Sequence, residues 1–202
     1  VLHKQGLDQT IVNYLNIWTR KPNLNEWETI VKRLQNPRDE ISVGIVGKYI
    51  EVVDSYKSVE EALIHAGIKN ELKINISYID AESLNSKTVL SKLQDLDGII
   101  VPGGFGERGV SGKILAIEYA RTHNKPFLGI CLGLQLACIE FAQNVLKKEK
   151  ANSLEFNPKA DDLIISLMES QKGITKKGGT MRLGSYPCKI KEQTKVAEAY
   201  QA

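Results

Sequence analysis

The segment 126-PFLGICLGLQ-135 joins a short apolar strand pattern to a helical pattern through one cysteine, Cys131. A residue at a sharp strand-to-helix turn takes a strained backbone conformation, and its neighbours two positions away on either side crowd together. Those neighbours are Gly129 and Gly133. The spacing therefore predicts a nucleophile elbow that carries a thiol at a helix N-terminus, where the thiolate is favoured. The alternative is that Cys131 is a small buried residue at a tight packing corner.

Strand and helix patterns alternate on the N-terminal side of this elbow. Ile- and Val-rich strand patterns occupy 41-ISVGIV-46, 73-KINISYI-79, the run that ends at Val101, and 126-PFLGI-130. Helical patterns occupy 57–67, a segment around 87–93, 111–121 and about 132–146, and Gly67 is the predicted C-cap of the first. The pattern predicts an α/β fold with a mostly parallel sheet and helices on both faces. Ligands bind such sheets beyond the carboxyl ends of the strands, where Cys131 and Gly104 fall.

The N-terminal segment has a different character from the alternating part. Residues 9–18 and 24–34 have helical spacing, and Pro37 and Asp39 then mark the change to strand patterns. We therefore predict a boundary that separates residues 1–40 from a domain over 41–202. The sequence begins with Val1 and not with methionine, so we expect a cut or processed N-terminus.

The stretch 101-VPGGFGERG-109 matches G-x-G-x-x-G through Gly104, Gly106 and Gly109. A dinucleotide site also needs an acidic residue about 20 positions on, at the end of the next strand. That strand ends on Cys131, which argues against a dinucleotide and for thiol chemistry. Attack by a thiolate on a carbonyl develops an oxyanion, and we predict the N–H groups of Gly104 and Leu132 as its donors. The alternative is that these glycines only form a tight turn.

Composition restricts the class of protein. The 202 residues are 42% hydrophobic and 25% charged, which is ordinary for a globular chain. A net charge of +3 gives no argument for a nucleic acid or a membrane surface. The three cysteines have no metal-ligand spacing, so we expect neither a zinc site nor a disulfide framework, and we expect a cytoplasmic location.

The motifs 129-GICLGLQ-135 and 102-PGGFG-106 together resemble the class I (triad) glutamine amidotransferases, which have a flavodoxin-like architecture. Four further strings are similar to the glutaminase domains of the CTP synthase family: 46-VGKYIEVVDSYKSVEEAL-63, 101-VPGGFGERG-109, 152-NSLEF-156 and 178-GGTMRLG-184. The resemblance begins near Ile41. It identifies the residues before it as the end of a synthase domain and a linker.

The resemblance implies a set of roles. Cys131 would attack the side-chain amide of L-glutamine, form a glutamyl thioester and release ammonia, with Gly104 and Leu132 as oxyanion donors. Phe105 would shape the pocket, and Gln135 and Glu155 would recognise the α-amino and α-carboxylate groups. Arg182 would lie in a loop that responds to the effector GTP. Without the family, Gln135 is a solvated helix residue, Glu155 a loop acid and Arg182 part of a Lys-rich surface loop.

The resemblance also implies partners outside this chain. Ammonia would pass to a synthase domain of the same polypeptide, which uses ATP and Mg²⁺ to aminate UTP to CTP, and the protein would be a tetramer. No residue of this chain is assigned to ATP, Mg²⁺ or a metal site. No nucleic acid or membrane is expected as a partner.

The sequence departs from the family at the catalytic base. The family supplies a His-x-Glu pair after the nucleophile, whereas the three histidines here, His3, His65 and His123, all precede Cys131. His65 and His123 lie near the C-terminal ends of helices that lead back to the starts of strands, whereas Cys131 follows the end of a strand. A five-residue strand, at about 3.3 Å per residue, separates these two edges of the sheet by about 16 Å. We therefore expect a fragment that lacks its closing strands and is inactive alone. The alternatives are a binding or regulatory module without a base, and another cysteine-elbow hydrolase such as a peptidase or deglycase.

Overall fold

The computed structural model describes residues 2–20, 22–48, 54–168 and 187–201. By its internal contacts the chain forms two compact units, Val1–Glu149 and Lys150–Ala202. The division predicted after residue 40 rests on sequence character and stays a prediction. Among the described residues, no helix has the length and apolar character that a membrane crossing requires.

A four-stranded sheet forms the centre of the first unit. Its strands are β1 (Asp39–Gly47), β2 (Leu72–Asp80), β3 (Gly98–Val101) and β4 (Phe127–Gly129), in the order β2-β1-β3-β4. Every pairing is parallel. Ile45, Val46, Ile99 and Val101 of the central strands are buried, as expected for strands covered on both faces. The predicted α/β fold with a mostly parallel sheet is confirmed.

Helices precede, connect and follow these strands. They are α1 (Leu7–Tyr14), α2 (Asn25–Gln35), α3 (Lys57–Asn70), α4 (Val89–Leu93), α5 (Val110–Thr122) and α6 (Leu132–Asn144). The second unit contains β5 (Ala151–Ser153), β6 (Asp162–Ile165) and α7 (Lys195–Tyr200). α1 ends before the predicted residue 18, and Asn16 beyond it takes a left-handed φ of 51°.

The strand order reverses direction within the sheet. The chain moves from β1 to β2 on one side and from β3 to β4 on the other, so right-handed crossovers put α3 and α5 on opposite faces. The order reverses between β1 and β3. Open parallel sheets bind ligands at such a reversal, beyond the carboxyl ends of the two strands, and Lys48 and the Pro102–Gly103 turn begin there.

The structure corrects the role predicted for Gly67. α3 continues past this glycine to Asn70, and Glu71, with a φ of 60°, closes the helix. Gly67 is buried, and a methyl group in place of its hydrogen would lie 2.6 Å from the carbonyl oxygen of Leu72. The small residue is needed because the helix and the start of β2 approach closely, and not because the chain turns there.

A buried ion pair joins α5 to α6. The Glu140 carboxylate is 1% exposed and accepts hydrogen bonds from Arg121 Nε at 3.0 Å and Nη2 at 2.6 Å. Asn144 Nδ2 donates a further bond at 2.9 Å. The Arg121 guanidinium is about one third exposed, and its pKa is raised by the hydrogen bonds to Glu140. The Arg121 cation therefore compensates the charge of a Glu140 carboxylate that water does not reach.

Replacing Arg121 by methionine should destabilise the first unit, because it leaves the Glu140 carboxylate buried without its cation. We expect a loss of about 2–3 kcal/mol, below the usual cost of breaking a buried pair because Asn144 remains as a donor. Urea unfolding measures it. The control is Lys73→Met, which removes an exposed ion pair with Glu40 and should shift the midpoint much less. Equal losses in the two variants would contradict a special role for the buried pair.

Candidate active site

Cys131 occupies the turn between β4 and α6. Its φ of 55° and ψ of −110° lie outside the regions that residues with side chains normally adopt. A methyl group on Gly129 would lie 2.6 Å from the Gly133 carbonyl carbon, and one on Gly133 would lie 1.9 Å from the Val101 carbonyl oxygen. The crowding predicted for an elbow is therefore present. The residue is exposed, so the alternative that it is a buried packing residue is wrong.

The glycine turn after β3 lies directly against the elbow. β3 and β4 pair with Val101 opposite Gly129, which brings the segments that follow them together. A methyl group on Gly103 would lie 3.2 Å from Cys131 Cβ and 3.6 Å from its Sγ. Only a residue without a side chain leaves the sulfur open on this side.

Two backbone N–H groups are available beside the sulfur. Among the described residues, neither the Gly104 N–H nor the Leu132 N–H donates a hydrogen bond. Leu132 is the first residue of α6, and the first N–H groups of a helix have no partner within it. Leu132 itself is buried. The two N–H groups are therefore candidates for an oxyanion hole, and this role stays a prediction.

Two lysines flank the glycine turn from the other side. Lys48 follows β1, and its ammonium donates to the carbonyl oxygen of Phe105. Lys113 lies in the first turn of α5, and its side chain is completely buried. The position of a Gly104 Cβ would lie 3.6 Å from Lys48 Cε and 3.7 Å from Lys113 Nζ. Three strand ends thus contribute to one site, with positive charge beside Gly104.

The environment of Lys113 disfavours its charge. The pKa of Lys113 is lowered to about 8, chiefly by burial and also by the neighbouring charge of Lys48, whereas Cys131 acts in the opposite direction. Within the described residues the Lys113 ammonium has no hydrogen-bond partner. A buried ammonium without a partner is costly to a fold. Packing alone therefore does not explain why a lysine ammonium is buried next to the elbow.

The residues expected to bind glutamine are distributed over both units. Phe105 is exposed and follows the glycine turn. Gln135 lies one turn into α6, and its N–H donates to the Cys131 carbonyl oxygen at 3.2 Å. Glu155 is exposed after β5 in the second unit. Arg182 lies outside the described residues, and the roles of all four stay predictions.

Among the described residues, none of the three histidines hydrogen-bonds to Cys131. His3 Nδ1 is 2.5 Å from Asp8 Oδ2 near the N-terminus. His65 lies in α3. His123 caps the C-terminal end of α5, where its ring stacks on Tyr119 with a centroid distance of 4.0 Å. α5 leads to the start of β4, whereas Cys131 follows the end of that strand.

No group of three or more His, Cys, Asp or Glu side chains in the described ranges could hold a metal ion.

Sequence analysis missed Lys48 and Lys113. Lys113 had a detectable signal, because it begins a stripe at helical spacing whose other members are apolar. These members, Ala116, Ile117 and Ala120, are all buried in α5.

Comparisons with known proteins bear on the family of this chain. The family described as "Glutamine amidotransferase class-I" matches residues 51–202. A CTP synthase of Geobacter metallireducens is 52% identical over 98% of this chain and 37% of its own length. A CTP synthase of Hydrogenobaculum is 51% identical over 100% of this chain and again 37% of its own length. The chain thus spans little more than a third of these relatives.

A solved structure is similar as well. It is the glutaminase domain of Trypanosoma brucei CTPS with bound acivicin, which is 38% identical and has a TM-score of 0.61. The match covers 65% of this chain and 52% of that one. Sequence family, fold and the cysteine elbow lead to one conclusion. The chain belongs to the class I glutamine amidotransferases.

Proposed function

We propose that this chain is the glutamine-hydrolysing part of a CTP synthase. The observation that carries the proposal is the exposed Cys131 at a strained elbow, with the Gly103–Gly104 turn packed against its sulfur. The similarity to CTP synthases over almost the whole chain supports the same substrate. The chain would hydrolyse L-glutamine and supply ammonia for the amination of UTP to CTP.

The chemistry follows from the positions of the groups. The Cys131 thiolate forms a bond to the side-chain amide carbon of glutamine, and the carbonyl electron pair moves to the oxygen. The N–H groups of Gly104 and Leu132 would stabilise this oxyanion. The carbon–nitrogen bond breaks as the nitrogen takes up a proton and leaves as ammonia, and a thioester remains. Water then cleaves the thioester, so that glutamate leaves and the thiolate is restored.

The proton transfers need a general base, and no described histidine lies beside Cys131. His123 is held against Tyr119 at the opposite end of β4, and His3 pairs with Asp8. We therefore assign no base within the described residues. The experiments below use the full-length protein for this reason.

Substrate recognition, cofactors and partners complete the proposal. Phe105, Gln135 and Glu155 would bind glutamine, and Arg182 would belong to a loop that responds to GTP. ATP and Mg²⁺ would act in a synthase domain of the same polypeptide, which is the ammonia acceptor. The protein would act in the cytoplasm as a homo-oligomer, a tetramer by resemblance to its family.

The proposal predicts a fixed stoichiometry. Full-length protein given glutamine, UTP, ATP and Mg²⁺ should form glutamate and CTP in equal amounts, because the ammonia passes directly to the synthase domain. Parallel chromatographic measurement of both products tests this. Glutamate formed without CTP would show that the acceptor is not UTP. A thiol-dependent peptidase or deglycase activity without glutamate formation would support another cysteine-elbow hydrolase, and glutamine binding without turnover would support a regulatory module.

A further inference from the structure

The buried ammonium of Lys113 is the least expected feature of the first unit. The side chain is completely buried, and its Nζ has no hydrogen-bond partner among the described residues. Lysine is almost never fully buried without a partner. The Nζ is directed at the glycine turn, 3.7 Å from where a Gly104 Cβ would be, and Cys131 Sγ lies 3.6 Å from the equivalent point on Gly103. The ammonium and the sulfur thus lie against adjacent residues of one turn.

Within the described part of the chain, no acidic side chain pairs with the Lys113 ammonium. Of the titratable groups, Lys48 at the end of β1 and Cys131 before α6 act on Lys113. The other charged groups on the elements packed against α5 have partners elsewhere: Asp80 accepts from the Glu82 N–H, Glu82 pairs with Arg108, Lys92 donates to Ser83, Glu140 pairs with Arg121, and Glu40 pairs with Lys73. Lys113 therefore places a buried positive charge beside Gly104, next to the side chain of Lys48.

We propose that Lys113 is the buried counter-charge of this active site, which stabilises first the Cys131 thiolate and then the oxyanion formed beside Gly104. The part of this inference that concerns the oxyanion rests on the proposed function, whereas the part that concerns the thiolate does not. A charge in a water-excluded position acts strongly on neighbouring charges, and it requires no reorientation as the reaction proceeds. Lys113 acts across the turn, so it is a positioning residue and does not touch glutamine.

The first experiment measures the thiolate in full-length protein without glutamine. Iodoacetamide alkylation of Cys131 is followed by peptide mass spectrometry over about pH 6–10. In Lys113→Met, alkylation near neutral pH should slow about three- to tenfold, and the profile should move to higher pH. Lys69→Met, which removes an exposed lysine of α3, is the control and should behave like wild type. Equal alkylation in Lys113→Met and wild type would overturn the proposal.

The second experiment measures glutamine hydrolysis against pH. The pKa of Lys113 is about 8, so its charge is present below that pH and is lost above it. The wild-type kcat/KM should therefore fall above about pH 8, and Lys113→Met should be about tenfold slower at neutral pH without this alkaline decline. A wild-type decline that persists in both Lys113→Met and the second neutral variant, Lys113→Gln, would overturn the proposal. If wild type hydrolyses no glutamine, the proposed function fails, while alkylation still tests Lys113.

Thermal unfolding separates this role from a structural one. Removing an unpartnered buried charge should leave the midpoint of Lys113→Met at or above that of wild type. The lowered pKa penalises the folded state while Lys113 is charged, so this difference should shrink between pH 8 and 10.5 as the lysine deprotonates. A fall in both the midpoint and the reaction rate would assign Lys113 to the fold and contradict the proposal.

Discussion

The Cys131→Ala variant of the full-length protein is expected to form no CTP from glutamine while it forms CTP from free ammonium at the wild-type rate. Removal of the sulfur removes the bond to the amide carbon, and losses of about 10⁴-fold or more are usual when a covalent nucleophile is deleted. The backbone should be undisturbed, because Cys131 is exposed and alanine is smaller. CTP formation is followed with each nitrogen source in turn.

A cysteine in the helix that follows the elbow provides the control. Cys138 lies in α6 and is also exposed, so Cys138→Ala removes a thiol seven residues beyond Cys131. We expect both nitrogen sources to support wild-type rates in this variant. Glutamine-dependent synthesis retained by Cys131→Ala would remove this residue from the mechanism, whereas loss of the ammonium reaction would indicate a damaged synthase domain.

The second large effect is expected for Gly133→Ala. The added methyl group would lie 1.9 Å from the carbonyl oxygen and 2.8 Å from the carbonyl carbon of Val101. These are backbone atoms of the buried strand β3, so they cannot rotate away as a flexible side chain could. α6 would have to move off the sheet and take Cys131 with it. We expect destabilisation above about 4 kcal/mol, which would remove most of the stability of a unit at the lower end of the ordinary range of about 5–15 kcal/mol.

Urea unfolding with circular dichroism, together with the yield of soluble protein, measures this effect. Gly98→Ala is the matched control, since it adds the same methyl group to a strand of the same sheet. The nearest atoms to that methyl group, both in Pro126, lie at 3.7 and 3.8 Å, which is ordinary contact. We expect this control to unfold within about 1 kcal/mol of wild type. A stable, fully active Gly133→Ala protein would show that α6 and β3 can separate without loss of the elbow.

Local sequence patterns predict the elbow because its constraints are local. A strand, a cysteine between two glycines and a helix follow one another within a few residues, and the observed φ of Cys131 is 55°. The alternation of apolar strands with helices likewise predicts the parallel sheet, since each strand is covered on both faces. Gly67 shows the limit of the local pattern. Its small size allows α3 to pack closely against Leu72 at the start of β2. A contact between two elements cannot be predicted from the sequence of either element alone.

The arrangement of the site's charges was outside the reach of local reasoning, although the buried stripe of α5 marks Lys113 itself. Lys48 follows β1 and Lys113 lies in α5, and they come together beside Gly104 only when the sheet forms. A lysine in a helix is usually a solvated residue, and nothing in the pattern around Lys48 marks the Phe105 carbonyl as its partner. The glycine-rich stretch predicts available backbone donors. Its charged surroundings depend on tertiary structure.

The order of the strands also governs when this site comes into existence during folding. β1 lies at the centre of the sheet, and the link between the Ser42 N–H and the Asp97 carboxylate already spans 55 residues. Such contacts form only after long loops close, so parallel sheets of this kind fold slowly. Cys131 is the last of the three strand-end contributors along the chain, after Lys48 and Gly104. A nascent chain therefore cannot bring the thiol and the two lysines against the glycine turn until nearly all of the first unit has been synthesised.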